Sequence, residues 1–119
     1  MKQLSTLNGK KLPIRYGWGA LSDLADSINK SIDDLIWSFD PSQLKPSQFS
    51  EFVYYGVKDG CEAKNVDFPF ESPRDVNKII DAVGLRTVIK ESLAAFQESP
   101  FVLNSRDEEE EKEETDKKK

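Results

Sequence analysis

Few residues of this chain could carry a reaction. Cys61 is the only thiol among 119 residues, Asp33-Asp34 is a carboxylate pair, and Glu108 to Glu111 is a further acidic run. A thiol becomes a nucleophile when a base or a positive environment lowers its pKa. Paired carboxylates can share general acid and base work, or hold a hard cation such as calcium. None of the three groups has the companions such chemistry needs. The chain has no histidine, which removes the commonest general base and, with a single cysteine, any zinc pattern. Cys61 falls on an apolar helical stripe and reads as a small buried hydrophobe. Asp33-Asp34 reads as a helix start, and the run at 108–111 as a solvated tail; neither makes the ordered cage that calcium requires. Gly17-Trp18-Gly19 lacks the Lys and Ser/Thr of a phosphate loop and the third glycine of a dinucleotide fingerprint. The sequence predicts no enzyme active site, no cofactor and no metal.

The elements are legible from the spacing of apolar residues. Two short apolar runs, Leu4 to Leu7 and Leu12 to Tyr16, flank Asn8-Gly9, a dipeptide suited to the positive φ values of a tight hairpin turn. Leu12, Ile14 and Tyr16 alternate and share one face. Pro13 between them has no N–H to donate, so its strand must be an edge or lie beside a bulge. At Gly17 the period changes, and Leu21, Leu24, Ala25 and Ile28 follow helical spacing. Ser31 with Asp34 resembles a capping box before Ile32, Leu35, Ile36 and Phe39, and Asp40-Pro41-Ser42 stops that helix. Phe49, Phe52, Val53, Val57 and Cys61 mark the clearest helix. Gly56 and Gly60 lie within its stripe, and two glycines on a buried face imply that another backbone packs closely there. After a connector containing Phe68-Pro69-Phe70, Ser72-Pro73-Arg74-Asp75 reads as a helix start with Ser72 as N-cap. Val76, Ile79, Ile80 and Val83 form its face, and Gly84 can supply a left-handed C-terminal turn. Leu85, Val88, Ile89, Leu93 and Phe96 continue as a last helix or across a kink, ended by Ser99-Pro100.

The predicted fold is α+β and mostly α: an N-terminal β-hairpin followed by four or five packed helices. Residues 1–105 read as one globular domain and 106–119 as a disordered charged tail. The core should include Leu21, Leu24, Ile28, Phe52, Val53, Val57, Ile79, Ile80 and Leu93. Net charge is −5, and after Ser105 eight acidic residues meet five basic ones. The body is therefore only mildly acidic, which argues against a general nucleic-acid surface. A single cysteine excludes an internal disulfide and suits a reducing compartment. No stretch has the length and apolarity of a membrane span, and none reads as a signal peptide. The expectation is a cytoplasmic protein without membrane or nucleic-acid partners.

Several aromatic residues stand off the stripes. Trp37 lies across its helix from Ile32, Leu35 and Phe39, Tyr55 projects opposite Phe52 and Val53, Tyr54 lies at the margin, and Trp18 sits at the edge of the first helix's stripe. They either fill a core covered from two sides or form an exposed apolar patch of the kind that binds proteins. On the second reading Trp37, Tyr54, Tyr55 and Trp18 are the candidate partner-binding residues.

With this order of elements, the chain resembles the small tail assembly chaperones of long-tailed, siphovirus-like phages and prophages. The resemblance rests on the hairpin Asn8-Gly9-Lys10-Lys11-Leu12-Pro13-Ile14-Arg15-Tyr16, on the helix start Gly19-Ala20-Leu21-Ser22-Asp23-Leu24-Ala25, and on Phe52-Val53-Tyr54-Tyr55-Gly56-Val57-Lys58-Asp59-Gly60-Cys61. It covers residues 4 to 96 loosely, without a matching counterpart for Ser31 to Pro46, and the family has no catalytic motif. The resemblance implies a non-enzymatic protein that binds the tape measure protein, keeps it soluble and helps tail tube subunits assemble around it, with homo-oligomerisation open. The alternative from another class is a small helical adaptor or regulatory domain. The family often makes a second, longer product by programmed ribosomal frameshift. Lys117-Lys118-Lys119 must be encoded by adenine-rich codons; the run is either an ordinary lysine-rich charged tail or, as the resemblance allows, a site where paired tRNAs slip.

Overall fold

The computed structural model describes residues 1–6, 9–37, 39–40 and 43–101. An antiparallel hairpin of β1 (Gln3–Ser5) and β2 (Lys11–Pro13) is followed by five helices: α1 (Trp18–Ile28), α2 (Ile32–Trp37), α3 (Pro46–Lys64), α4 (Asp75–Val83) and α5 (Leu85–Gln97). The fold is α+β and mostly helical, with the change of period at Gly17 marking the junction. The charged tail from 106, the lysine run at 117–119, Pro41-Ser42 and Asn8 of the expected turn all lie outside the described residues.

The hairpin register pairs Gln3 with Pro13, Leu4 with Leu12 and Ser5 with Lys11, and Thr6 N–H donates to Lys10 O at 2.9 Å. That leaves three residues between Thr6 and Lys10, not the two of the tightest turn. Gly9 has φ +73°, the left-handed position that closes a three-residue hairpin loop. β1 leans on α5, where the Glu91 carboxylate accepts from Ser5 N–H (3.2 Å) and Ser5 Oγ (3.0 Å). β2 leans on α3. A ribbon of two strands is all edge, which is why Pro13 can occupy it.

Helix ends follow capping chemistry in most places. Asn29 and Asn65 adopt the left-handed conformation that ends α1 and α3. Asp34 N–H donates to Ser31 Oγ at 3.1 Å, as the capping pattern predicts. α2 nevertheless ends at Trp37, so Phe39 lies beyond the helix whose stripe it was expected to continue. Its ring still packs 5.4 Å from Phe52 and 5.2 Å from Phe96. At the start of α4 the N-cap position falls on Arg74, not on Ser72 as the sequence suggested. Asp75 does the bridging instead, its carboxylate accepting from Glu71 N–H at 2.7 Å and Ser72 N–H at 3.4 Å.

Those backbone bonds hold the Asp75 carboxyl below the usual carboxylate range, the bond to Glu71 foremost. A carboxylate depressed in the folded state contributes stability above its unfolded pKa and loses that contribution as pH falls through the folded value. Asp75→Asn is therefore expected to lower the urea midpoint at neutral pH, and the gap from wild type should close on acidification to about pH 2–3. A gap that stayed constant with pH would show that the charge of Asp75 does no work.

Gly84 alone separates α4 from α5, with φ +95° and ψ 144°. This is neither helix nor the left-handed turn the sequence suggested, but an extended positive-φ conformation that L side chains rarely adopt. No atom crowds its missing side chain, so the demand is purely conformational. Gly84→Ala should cost about 1–3 kcal/mol in equilibrium unfolding; no loss would mean that the α4–α5 corner tolerates another backbone geometry.

The core gathers Leu4, Ile14, Tyr16, Leu21, Leu24 and Ile28 from the N-terminal half with Phe52, Val53, Val57, Val76, Ile79, Val88 and Phe96. Seven of the nine residues expected there are buried; Ile80 and Leu93 are only half-buried. In α5 the inward stripe runs through Val88, Ser92, Ala95 and Phe96. Leu93 is turned one position off it because Ser92 fits inside, its hydroxyl donating to Val88 O at 2.6 Å. Among the described residues, no helix is long and apolar enough to cross a membrane.

Candidate functional site

Cys61 is buried on α3, and burial pushes its thiol pKa up, away from thiolate. Asp33 and Asp34 are exposed in the first turn of α2. No group of three or more potential metal ligands occurs among the described residues. What the residues do build is a docking groove on α3.

Phe52, Gly56, Asp59 and Gly60 fall at i, i+4, i+7 and i+8, so they share one face of α3. The segment from Pro13 to Gly17 lies along that face. Tyr16 O–H donates to Phe52 O at 2.8 Å, Arg15 N–H to Gly56 O at 3.0 Å, and Gly17 N–H to an Asp59 carboxylate oxygen at 2.6 Å. A Cβ on Gly60 would stand 2.4 Å from Pro13 O and 2.8 Å from Ile14 N; one on Gly56 would stand 2.5 Å from the Tyr16 ring. The close backbone approach implied by the glycine pair is present, and the approaching backbone is the strand exit rather than another helix. Burial pushes the Tyr16 phenol well above its ordinary pKa, so it stays a neutral donor. Its ring stacks on Phe52 at 4.6 Å and meets Phe96 edge-on at 5.6 Å.

Among the described residues, ring contacts fall into three separate groups. Tyr16, Phe39, Phe49, Phe52 and Phe96 make the central one. Tyr54 and Tyr55 form a second with Phe68 and Phe70, in which Tyr54 meets Tyr55 at 5.4 Å, Phe68 at 5.1 Å and Phe70 at 6.4 Å. Both tyrosines are half-buried and packed against the core, and the connector after α3 folds back over Tyr54. Trp18 and Phe101 form the third, 5.5 Å apart, and Trp37 joins none among the described residues. Trp18 (56% exposed) and Trp37 (45%) are the candidates that present large apolar area to solvent. Phe101, 40% exposed, is an addition the sequence reading missed, since it stands alone beyond Pro100 with no periodic stripe to mark it.

A concavity of about 590 Å³ lies between α3, α4 and α5 and is lined by Leu44, Phe49, Ile80, Leu85 and Ile89 with Asn77. Leu85 on its rim is 51% exposed. The groove can accept an apolar side chain or helix face, and Ile80 stays half-buried because it borders this space. Comparison with protein-family models, curated proteins and solved structures finds no match to this chain.

Proposed function

We propose that this chain is a non-enzymatic tail assembly chaperone of a long-tailed phage or prophage. It acts in the host cytoplasm, where it binds the tape measure protein and assists assembly of the tail tube protein around it. One observation supports the reading most. The three stretches that carry the resemblance, 8–16, 19–25 and 52–61, are distant in sequence yet meet in one unit, with the strand exit seated on the Gly56–Gly60 face and α1 following directly from it. A likeness confined to residues that fold together fits shared architecture better than scattered coincidence does.

The physical demands of the role agree with the surfaces present. A tape measure protein is a long helical chain with apolar seams that aggregate when uncovered. A small domain covers such seams by laying a helix face into an apolar groove, or by presenting large exposed side chains, in many copies. The α3–α4–α5 groove provides the first and Trp18 and Trp37 the second. Co-expression tests the reading: the tape measure protein of the same locus should be soluble and co-purify with this chain, and be insoluble without it. Equal solubility in its absence would overturn the proposal, and capture of a regulatory protein instead would establish the adaptor alternative.

A further inference from the structure

Among the residues that line the α3–α4–α5 groove, Asp81 alone carries a charge. Asn77 and Asp81 stand four apart on α4, and Leu85 and Ile89 four apart on α5, so each helix presents one ladder of side chains to the groove. The α4 wall is polar and the α5 wall apolar, with Phe49 and Ile80 adding further apolar lining. The polar wall is held in place from α3. The buried Ser50 hydroxyl donates to Asn77 Oδ1 at 2.6 Å, which leaves the amide N–H donors of Asn77 unused among the described residues. Asp81 is exposed, and its carboxylate has neither an ion pair nor a side-chain hydrogen bond among the described residues. Lys78, one turn back on α4, lines the separate concavity beside the hairpin, and Arg86 is not part of the groove lining. Asp81 also sits in the last turn of α4, where the helix dipole is negative and disfavours a carboxylate, and that turn holds no basic residue. The groove therefore combines apolar lining with a local negative potential that no cation in its walls offsets.

We infer that this groove selects an amphipathic partner helix whose apolar stripe is flanked by a lysine or arginine, with Asp81 as the specificity-determining residue. The inference rests on the reading of the groove as a partner surface. An apolar stripe alone covers Leu85 and Ile89 and brings Asp81 against whatever flanks it. A glutamate there meets a like charge, and a neutral residue displaces water from the carboxylate without replacing its interactions. A lysine or arginine pairs with the carboxylate, and its long stem can lie along the apolar lining while the charged head reaches Asp81. Because the two walls differ, the groove also sets which flank of the stripe must carry the cation. An exposed ion pair is worth up to about fivefold in affinity. Asp81 thus discriminates between helices, while burial of the apolar stripe supplies most of the binding.

The test titrates the isotopically labelled full chain with three synthetic helices of about 18 residues, or five turns. The three share a leucine stripe and differ at one flanking position, which is lysine, glutamine or glutamate. Affinity should fall in that order, with about fivefold between the first two at low salt and a smaller gap at about 0.5 M. Amide shifts should centre on Asn77, Asp81, Leu85 and Ile89. Asp81→Asn should abolish the lysine preference, Asp81→Lys should reverse it in favour of glutamate, and Asp81→Glu should keep it. Equal affinity for the three helices would overturn the inference, as would a lysine preference that persists in Asp81→Asn. So would the absence of saturable shifts in the groove, or shifts centred on Trp18 or Trp37. Concentration-dependent broadening of the groove amides in the free protein would also overturn it and give the groove to a second copy. The chaperone reading fails separately, when the tape measure protein is equally soluble without this chain, whatever the order of the three helices.

Discussion

Phe52→Ala is expected to destabilise the fold by about 3–5 kcal/mol, the range for truncating a large buried aromatic. Phe52 has no exposed surface and touches four other rings: Tyr16, Phe39, Phe49 and Phe96. Each belongs to a different part of the chain: the strand exit, the segment after α2, the first turns of α3, and α5. Removing the ring leaves a cavity at their meeting point and takes away the surface on which Tyr16 stacks. The Tyr16 hydrogen bond to Phe52 O survives in principle, because the acceptor is backbone, but the phenol loses the packing that orients it. Domains of this size have roughly 5–15 kcal/mol in total, so the loss is a large fraction of what holds the protein together. Urea unfolding with a linear fit measures it; a loss below about 1 kcal/mol would place this face of α3 in solvent and invert the packing described.

Gly60→Ala is the more discriminating change. In an exposed helix, alanine for glycine would gain up to about 1 kcal/mol. Here the added methyl would meet the carbonyl of Pro13 at 2.4 Å and its carbon at 2.5 Å. Those are backbone atoms, held by the pairing of Pro13 with Gln3 and by the bond from Ile14 N–H to Lys2 O, so they cannot swing aside as a side chain would. Overpacking typically costs about 1–3 kcal/mol, and a rigid neighbour puts this case at the upper end. The expected net loss is about 2 kcal/mol, or a fall in melting temperature of roughly 8–16 °C. A larger residue should undock the hairpin and deprotect the amides of Arg15 and Gly17, whose acceptors are on α3. A melting temperature that stayed level or rose in Gly60→Ala would mean that the strand exit does not sit against α3.

Much of this architecture is legible in the sequence because it depends on local pattern. The change from alternation to helical spacing at Gly17 separates hairpin from helices, and Gly56 and Gly60 announce a close approach by interrupting an otherwise apolar stripe. The identity of the approaching backbone is not legible there, because contact between Pro13 and Gly60 joins residues far apart in sequence. The same limit applies to Tyr54, which looks surplus to its helix until Phe68 and Phe70 are seen lying over it. Leu93 misled for another reason. Apolar spacing admits two neighbouring stripes on α5, and only the volume available inside decides that Ser92 is taken in and Leu93 turned outward. Among the candidate partner-binding residues, the two tryptophans keep large exposure, although the Trp18 ring meets Phe101.

Direct titration tests the central functional claim most closely. The purified chain, isotopically labelled, is mixed with a helical segment of the tape measure protein from the same locus, and amide shifts are followed to saturation. Saturable binding is expected, with the largest shifts around Trp18, Trp37 and the groove residues Leu85 and Ile89, and with Trp37→Ala weakening it without lowering the melting temperature. Absence of any saturable shift with segments covering the whole tape measure protein would contradict the account.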